Sequence, residues 1–278
     1  MFKIDDLLGL FPNEKTRKML VYSYYLSQEK DKEASDSVFE QFLVLKKMNP
    51  KINVILDSTK EKSYFNSAEN TIYINNLSIE TFFHELTHLL SYNYLNFQIP
   101  NEYYLFKRNF LASPDNESLV VQFLHLCAKE KAKFFQGFNN KSVNDYKIKT
   151  LNEMNNVHQE PQSNQFDLIS MIEDIVDSLY DGQSFSQGLV SIRDNNSYAV
   201  KAPKTAGHGC EYFSNNSFQF EEILANYQTI KLTDPKNELF ILLKNILGAK
   251  FISFLEQRCS EICGKKSKIE FNNNISKK

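Results

Sequence analysis

The sequence HELTH, from His84 to His88, constrains the fold of this chain more than any other stretch. In a helix, positions four residues apart lie on one face, so both imidazoles can bind one zinc ion. Glu85 can then reach a water molecule held at an open coordination position. Bound zinc lowers the pKa of that water toward ~7, and the carboxylate can remove its proton. The spacing therefore predicts a helix that carries catalytic Zn²⁺, with both histidines as ligands and Glu85 as the general base.

The residues around this motif favour a helix over 79–92. Ser78 is a suitable N-cap, and Glu80 lies in the first turn, where the helix dipole favours a negative charge. At ~100° per residue, one arc of about 120° holds the apolar residues Ile79, Phe82, Phe83, Leu86, Leu89 and Leu90. The two histidines point the opposite way, so the helix can pack on a core while they face a cleft. The alternative is that they belong to a solvated face.

Two short runs before the helix, residues 52–56 and 71–74, have the β-branched and aromatic content of strands. Apolar periodicity predicts helices elsewhere. They cover two segments within 1–48 and the ranges 117–135, 166–181, 218–230 and 236–262, whereas 93–116 and 183–217 are predicted to be irregular. The chain is therefore predicted to be α+β and mostly helical, with a small mixed sheet before the motif helix.

The length of 278 residues, with 42% hydrophobic and 24% charged residues, predicts a globular protein with a sizeable core. Residues 1–135 form a predicted N-terminal lobe with the sheet and the motif helix. The polar segment 136–165 is predicted to be a linker or mobile loop. Residues 166–264 form a predicted helical C-terminal lobe, and residues 265–278 a flexible tail.

Catalytic zinc needs a third protein ligand, and the best candidate is Glu222. Phe220, Ile223, Leu224 and Tyr227 form an apolar stripe at helical spacing. Glu222 and Asn226 lie together on the opposite side, so Asn226 is predicted to orient a zinc-bound imidazole. The alternatives are a solvated acidic face, Glu221, Asp174 or Asp177. A longer motif that ends in a third histidine is excluded, since Ser91 and Tyr94 replace its glycine and histidine.

Hydrolysis also needs a hydrogen-bond donor for the oxyanion that develops beside the metal. His208, between two glycines, and Tyr212 are the two candidates, because both precede the proposed ligand closely. The alternative is that this stretch only forms a loop, with the glycines serving its turns. His125 and His158 are predicted to be structural or exposed.

Composition excludes several classes of protein. The 32 Lys and Arg nearly balance the 34 Asp and Glu, which argues against nucleic acid as the main partner. No apolar stretch reaches the ~18 residues of a membrane span, and Asp5 and Asp6 interrupt any secretory pattern. The four cysteines do not form a disulfide framework for a chain this long. The expected location is the cytoplasm, or outside the cell after export that needs no cleaved signal.

With these residues in view, the chain resembles zincin metallopeptidases of the gluzincin type, in which a distant glutamate is the third ligand. The resemblance implies a zincin-like fold with His84, His88 and Glu222 on zinc and Glu85 as the general base. The segment 174–227 also looks like zincin-like domains of phage structural proteins and of bacterial toxin or effector proteins. That second likeness suggests a bacterial effector.

The sequence thus predicts a zinc-dependent metallopeptidase that acts on a protein or peptide. Two alternatives remain open. One is a zinc hydrolase that cleaves an amide in a cell-wall fragment or small molecule. The other is a binding protein on a zincin scaffold that holds metal without turnover.

Overall fold

A small sheet followed by a set of packed helices makes up the part of the chain that the computed structural model describes. The described residues are 53–57, 62–75, 78–95, 99–134, 165–181, 191–193, 199–201, 210–213 and 215–262. Helices dominate and the sheet is mixed, which confirms the predicted α+β class. The two helices predicted within 1–48, most of the linker, His158 and the tail lie outside the described residues.

The sheet contains β1 (Asn53–Leu56), β2 (Tyr64–Asn66) and β3 (Thr71–Ile74) in the spatial order β1-β3-β2. β3 pairs in parallel with β1 and antiparallel with β2. The turn from β2 to β3 ends at Asn70, whose φ of 50° suits a residue that tolerates the left-handed region.

β3, the strand that precedes the motif helix, is central in this sheet and has a partner on each side. Burial explains its position, since Thr71, Ile72 and Ile74 are all buried as in a strand covered on both sides. Within the described residues, β1 and β2 are the edge strands.

The motif helix α1 (Ile79–Leu95) forms where the sequence predicts it and continues three residues further. The Ser78 hydroxyl accepts a hydrogen bond from the Thr81 amide at 3.3 Å and so satisfies one of the free N–H groups at the helix start. The apolar arc faces the interior, and each of Phe82, Phe83, Leu86, Leu89 and Leu90 is at most 1% exposed. The opposite face, with both histidines, is therefore left for the site.

The remaining elements are mostly helices. They are α2 (Asn101–Leu111), α3 (Pro114–Phe134), α4 (Gln165–Leu179), α5 (Cys210–Phe213), α6 (Asn216–Thr233), α7 (Glu238–Leu247) and α8 (Ala249–Ile262), with an antiparallel strand pair β4 (Ser191–Arg193) and β5 (Ala199–Lys201) between α4 and α5. None of these helices within the described ranges combines the length and apolarity that crossing a membrane requires.

The structure differs from the sequence-based prediction in three regions. α2 and the start of α3 occupy a stretch predicted to be irregular, because Pro100 and Pro114 stand at helix starts, where a missing N–H costs nothing. The region 183–217 contains the strand pair and α5. The helix predicted over 236–262 is two helices, divided at Gly248, whose φ of 81° and ψ of 151° no helix contains.

α6 lies at the centre of the helices and packs against both α1 and α4. Every residue from 219 to 230 is buried. One hydrophobic cluster joins apolar residues of α6 to those of α2, α3, α4, α7 and α8. Because a central helix would normally be apolar all round, the buried polar residues of α6 call for a functional explanation.

We expect Gly248→Ala to destabilise the fold by about 1–3 kcal/mol. No atom lies within 4 Å of a Cβ placed at Gly248, so the cost comes from the backbone conformation, which is essentially restricted to glycine. Urea unfolding followed by circular dichroism measures the change. Lys250→Ala, an exposed change two residues later, is the control, and equal stabilities of the two variants would contradict the prediction.

Candidate metal centre

Helix α1 holds two imidazole nitrogens side by side. The Nε2 atoms of His84 and His88 are 3.1 Å apart, and the two rings meet edge to face at an interplanar angle of 85°. Both side chains remain 13% exposed. The nitrogens thus face a shared point that solvent can reach.

Helix α6 brings the Glu222 carboxylate to the same point. Its Oε2 lies 3.3 Å from Nε2 of His84, and its Oε1 lies 3.4 Å from Nε2 of His88. Within the part of the chain that the structure describes, these three residues are the one group of three or more His, Cys, Asp or Glu side chains spaced to hold a metal ion. Asp174 and Asp177, the alternative ligands, are not in this group.

These separations fit zinc. With metal–ligand distances of about 2.0–2.1 Å, ligand atoms at the corners of a tetrahedron are about 3.3–3.4 Å apart. The 3.1 Å between the two nitrogens, and the 3.3 and 3.4 Å from each nitrogen to a different oxygen of the carboxylate, are close to that spacing. Two nitrogens and one carboxylate are also a ligand set that zinc accepts, and three protein ligands leave a fourth corner for water or substrate.

The Glu222 carboxylate changes the protonation of the imidazole that it faces. Burial lowers the pKa of His84, but the negative charge of Glu222 outweighs it and raises that pKa to about 9. His84 is therefore an imidazolium paired with Glu222 at neutral pH. A divalent cation would replace the proton and neutralise the same buried carboxylate.

Glu85 directly follows the first histidine of the motif on α1. Its side chain is buried, at 7% exposure, and its charge raises the pKa of both His84 and Tyr212. The carboxylate thus interacts electrostatically with one candidate ligand and with the tyrosine.

Tyr212, on the short helix α5, reaches the ligand carboxylate directly. Its hydroxyl donates a hydrogen bond to Oε1 of Glu222 at 2.9 Å. Burial, followed by the charge of Glu222, raises the pKa of this phenol, so it remains a donor. The other oxyanion candidate, His208, lies outside the described residues.

A network of hydrogen bonds that was not predicted from the sequence fixes α5. The buried Gln219 donates from Nε2 to the Phe213 carbonyl and, at 2.6 Å, to the Asp181 carboxylate. Its Oε1 accepts from Lys107 at 2.6 Å. Gln219 thereby ties the residue after Tyr212 to α2 and to the end of α4. The sequence signal for this network was a glutamine three residues before the predicted ligand, on the same predicted helix.

Asn226 lies one turn after Glu222, as predicted, but its amide reaches a residue that was not expected. Its Nδ2 donates to Oδ2 of Asp174 on α4 at 2.8 Å. Both residues are buried. The signal for Asp174 in the sequence was an acidic residue inside an apolar periodic run.

Glu221 lies on a different side of α6 from the ligand carboxylate. Its side chain is 4% exposed, and burial raises its pKa, whereas Ser91, His88 and Arg258 lower it. The carboxylate is thus directed toward the C-terminal half of α1 and toward α8. The structure brings Glu222, and not Glu221, between the two imidazoles. His125 lies on α3 and does not belong to the group of ligand atoms.

Comparison of the chain with protein-family models, with curated proteins and with solved structures finds no match.

We expect Glu222→Ala to weaken zinc binding by about 100-fold or more, because outer-shell residues alone contribute 10–100-fold. Glu221→Ala is the matched control, since it removes a carboxylate of the same buried helix one residue away. It should stay within about threefold of the wild type because it removes no ligand. Competition with a chromophoric chelator gives both dissociation constants, and a larger loss in Glu221→Ala would reverse the assignment.

Zinc binding should strengthen as the pH rises toward about 9. The proton on His84 must leave before Nε2 can bind metal, so the dissociation constant falls about tenfold per pH unit below that pKa. The same proton stabilises the metal-free fold below about pH 6.5, and that contribution is lost as the pH rises through about 9. Calorimetric zinc titrations and thermal unfolding of metal-free protein across this range test both statements. A pH-independent zinc affinity would contradict them.

Proposed function

We propose that this protein is a zinc-dependent metallopeptidase with a zincin-like site of the gluzincin type. The observation that carries the proposal is the approach of the Glu222 carboxylate to both imidazoles. Its Oε2 lies 3.3 Å from Nε2 of His84 and its Oε1 lies 3.4 Å from Nε2 of His88, while the two nitrogens are 3.1 Å apart. Glu85, which is buried, follows His84 on the same helix, and its charge acts on that histidine. Metal ligands and a general base are thus drawn from two helices that pack directly on each other.

A zinc ion bound here would polarise the scissile carbonyl and lower the pKa of a bound water. Glu85, whose buried charge acts on both His84 and Tyr212, accepts the proton of that water. Glu85 then passes the proton to the leaving amine, so one residue serves as base and as acid. The Tyr212 hydroxyl remains protonated and would turn from Oε1 of Glu222, its acceptor in this structure, to donate a hydrogen bond to the oxyanion.

The outer edge of β2 supports a peptide as the substrate. β2 is an edge strand among the described residues, and Phe65 of this strand contacts Tyr92 at 5.9 Å between ring centroids. Tyr92 lies one turn after His88 on the motif helix, so the strand edge lies near the site. An extended peptide can pair with such an edge through its backbone, whereas a compact small molecule gains nothing from it.

Glu85→Gln should keep zinc and lose cleavage by at least about 10³-fold, because removing the general base removes proton transfer but no ligand. The assay is digestion of a peptide library, read by mass spectrometry of new N-termini, with zinc content measured on the same sample. Glu80→Gln is the control, since it is the same change at another buried position of the same helix.

The outcomes separate the proposal from its alternatives. Cleavage of muropeptides but of no peptide in the library would indicate an amide hydrolase of another substrate class. A biological activity that Glu85→Gln leaves unchanged would indicate a binding protein. Wild-type protein that holds no zinc after purification without chelators, and takes up none when it is offered, would overturn the proposal as a whole.

A further inference from the structure

Nδ1 of His84 takes no part in the contacts with Glu222 and His88. Nε2 faces Glu222 and His88, and the other ring nitrogen, Nδ1, is therefore directed away from them. Nδ1 is buried and makes no hydrogen bond to any of the described residues. Metal-binding histidines almost always donate the N–H of their second nitrogen to a carboxylate, a carbonyl or a water, so a partner is expected on this side.

Asp174 is a buried carboxylate on α4, a helix that contacts both the motif helix α1 and the ligand helix α6. Its charge also contributes to the raised pKa of His84, after those of Glu222 and Glu85, and to that of Tyr212. Its side chain is 6% exposed. A buried carboxylate needs hydrogen bonds to offset the cost of its desolvation.

Asn226 fixes where that carboxylate stands. Its Nδ2 donates to Oδ2 of Asp174 at 2.8 Å, and it lies one turn after Glu222 on the same face of α6. The residue that supplies the third ligand and the residue that holds Asp174 therefore belong to one rigid helical turn.

We propose that Asp174 is the positioning residue for His84, with its carboxylate accepting a hydrogen bond from Nδ1–H while Asn226 holds the carboxylate in place. This inference rests on the proposed metal centre. A proton fixed on Nδ1 leaves the lone pair of Nε2 directed at the metal, and the negative charge behind the ring makes that nitrogen a stronger ligand. Helices α1, α4 and α6 would then each supply part of one metal site.

Asp174→Asn should weaken zinc binding by about 10–100-fold, the range found for outer-shell carboxylates. Asp177→Asn is the matched control. Asp177 lies on the same helix with 5% exposure, but its charge acts on Glu173 rather than on His84. It should bind zinc within about threefold of the wild type. Chelator competition measures zinc affinity separately from any activity, and thermal unfolding of each metal-free variant shows whether it folds.

Asn226→Ala tests whether Asn226 affects His84 only through Asp174. Because Asn226 acts through Asp174, the double variant Asn226→Ala with Asp174→Asn should bind zinc no more weakly than Asp174→Asn alone. Additive losses would mean that Asn226 contacts the imidazole independently, and would overturn this part of the inference.

A spectroscopic measurement tests the same hydrogen bond first in the wild type and then in the two aspartate variants. The chain has five histidines, so ¹⁵N-labelled imidazoles can be assigned in the zinc-loaded wild type. The Nδ1 proton of His84 should be slow to exchange and shifted downfield by a carboxylate acceptor. It should move upfield in Asp174→Asn and stay in place in Asp177→Asn.

Failure of this inference differs from failure of the proposed function. A wild type that binds no zinc overturns both. A wild type that binds zinc, together with an Asp174→Asn variant of equal affinity or an unprotonated Nδ1 on His84, overturns the positioning role alone.

Discussion

The rest of the structure depends on one buried carboxylate, that of Glu222. It lies at 1% exposure in the most buried helix of the described chain. A charge in such a place is costly unless other charges or donors compensate it. Both imidazoles of the motif and the hydroxyl of Tyr212 converge on its two oxygens. The packing of α1 on α6 therefore compensates a buried charge as well as burying apolar surface. A divalent cation would neutralise the Glu222 carboxylate more completely than a single proton on an imidazole does.

The polar residues of α6 divide into groups with different tasks. Glu222 faces the imidazoles, Asn226 holds Asp174 on α4, and Gln219 ties α5 to α2 and to the end of α4. Between them, Phe220, Ile223, Leu224 and Tyr227 join the hydrophobic cluster. Each of these polar side chains occupies a buried position where an apolar side chain would stabilise the fold more. Buried polar residues that lower stability in this way are typical of functional sites.

How far the sequence predicts this protein follows from which interactions are local. The faces of α1 and α6 were predictable, since helical periodicity fixes which side chains share a face before any tertiary contact forms. The same holds for the pairing of His84 with His88. The prediction was wrong where one residue type is compatible with two different local structures. The range 93–116 is predicted to be irregular, but Pro100 and Pro114 start helices there. Gly248 divides a run that periodicity alone would continue.

The sequence by itself determined the contents of each helix face: two imidazoles and a carboxylate on one, a carboxylate and an amide one turn apart on another. Only the tertiary structure decided that these faces meet. It also decided that Glu222 rather than Glu221 lies between the imidazoles, that Asn226 reaches Asp174, and that β3 is a central strand. Helical spacing is fixed by residues that are neighbours in sequence. The approach of residues 84 and 222 instead depends on how apolar surfaces from distant segments pack together.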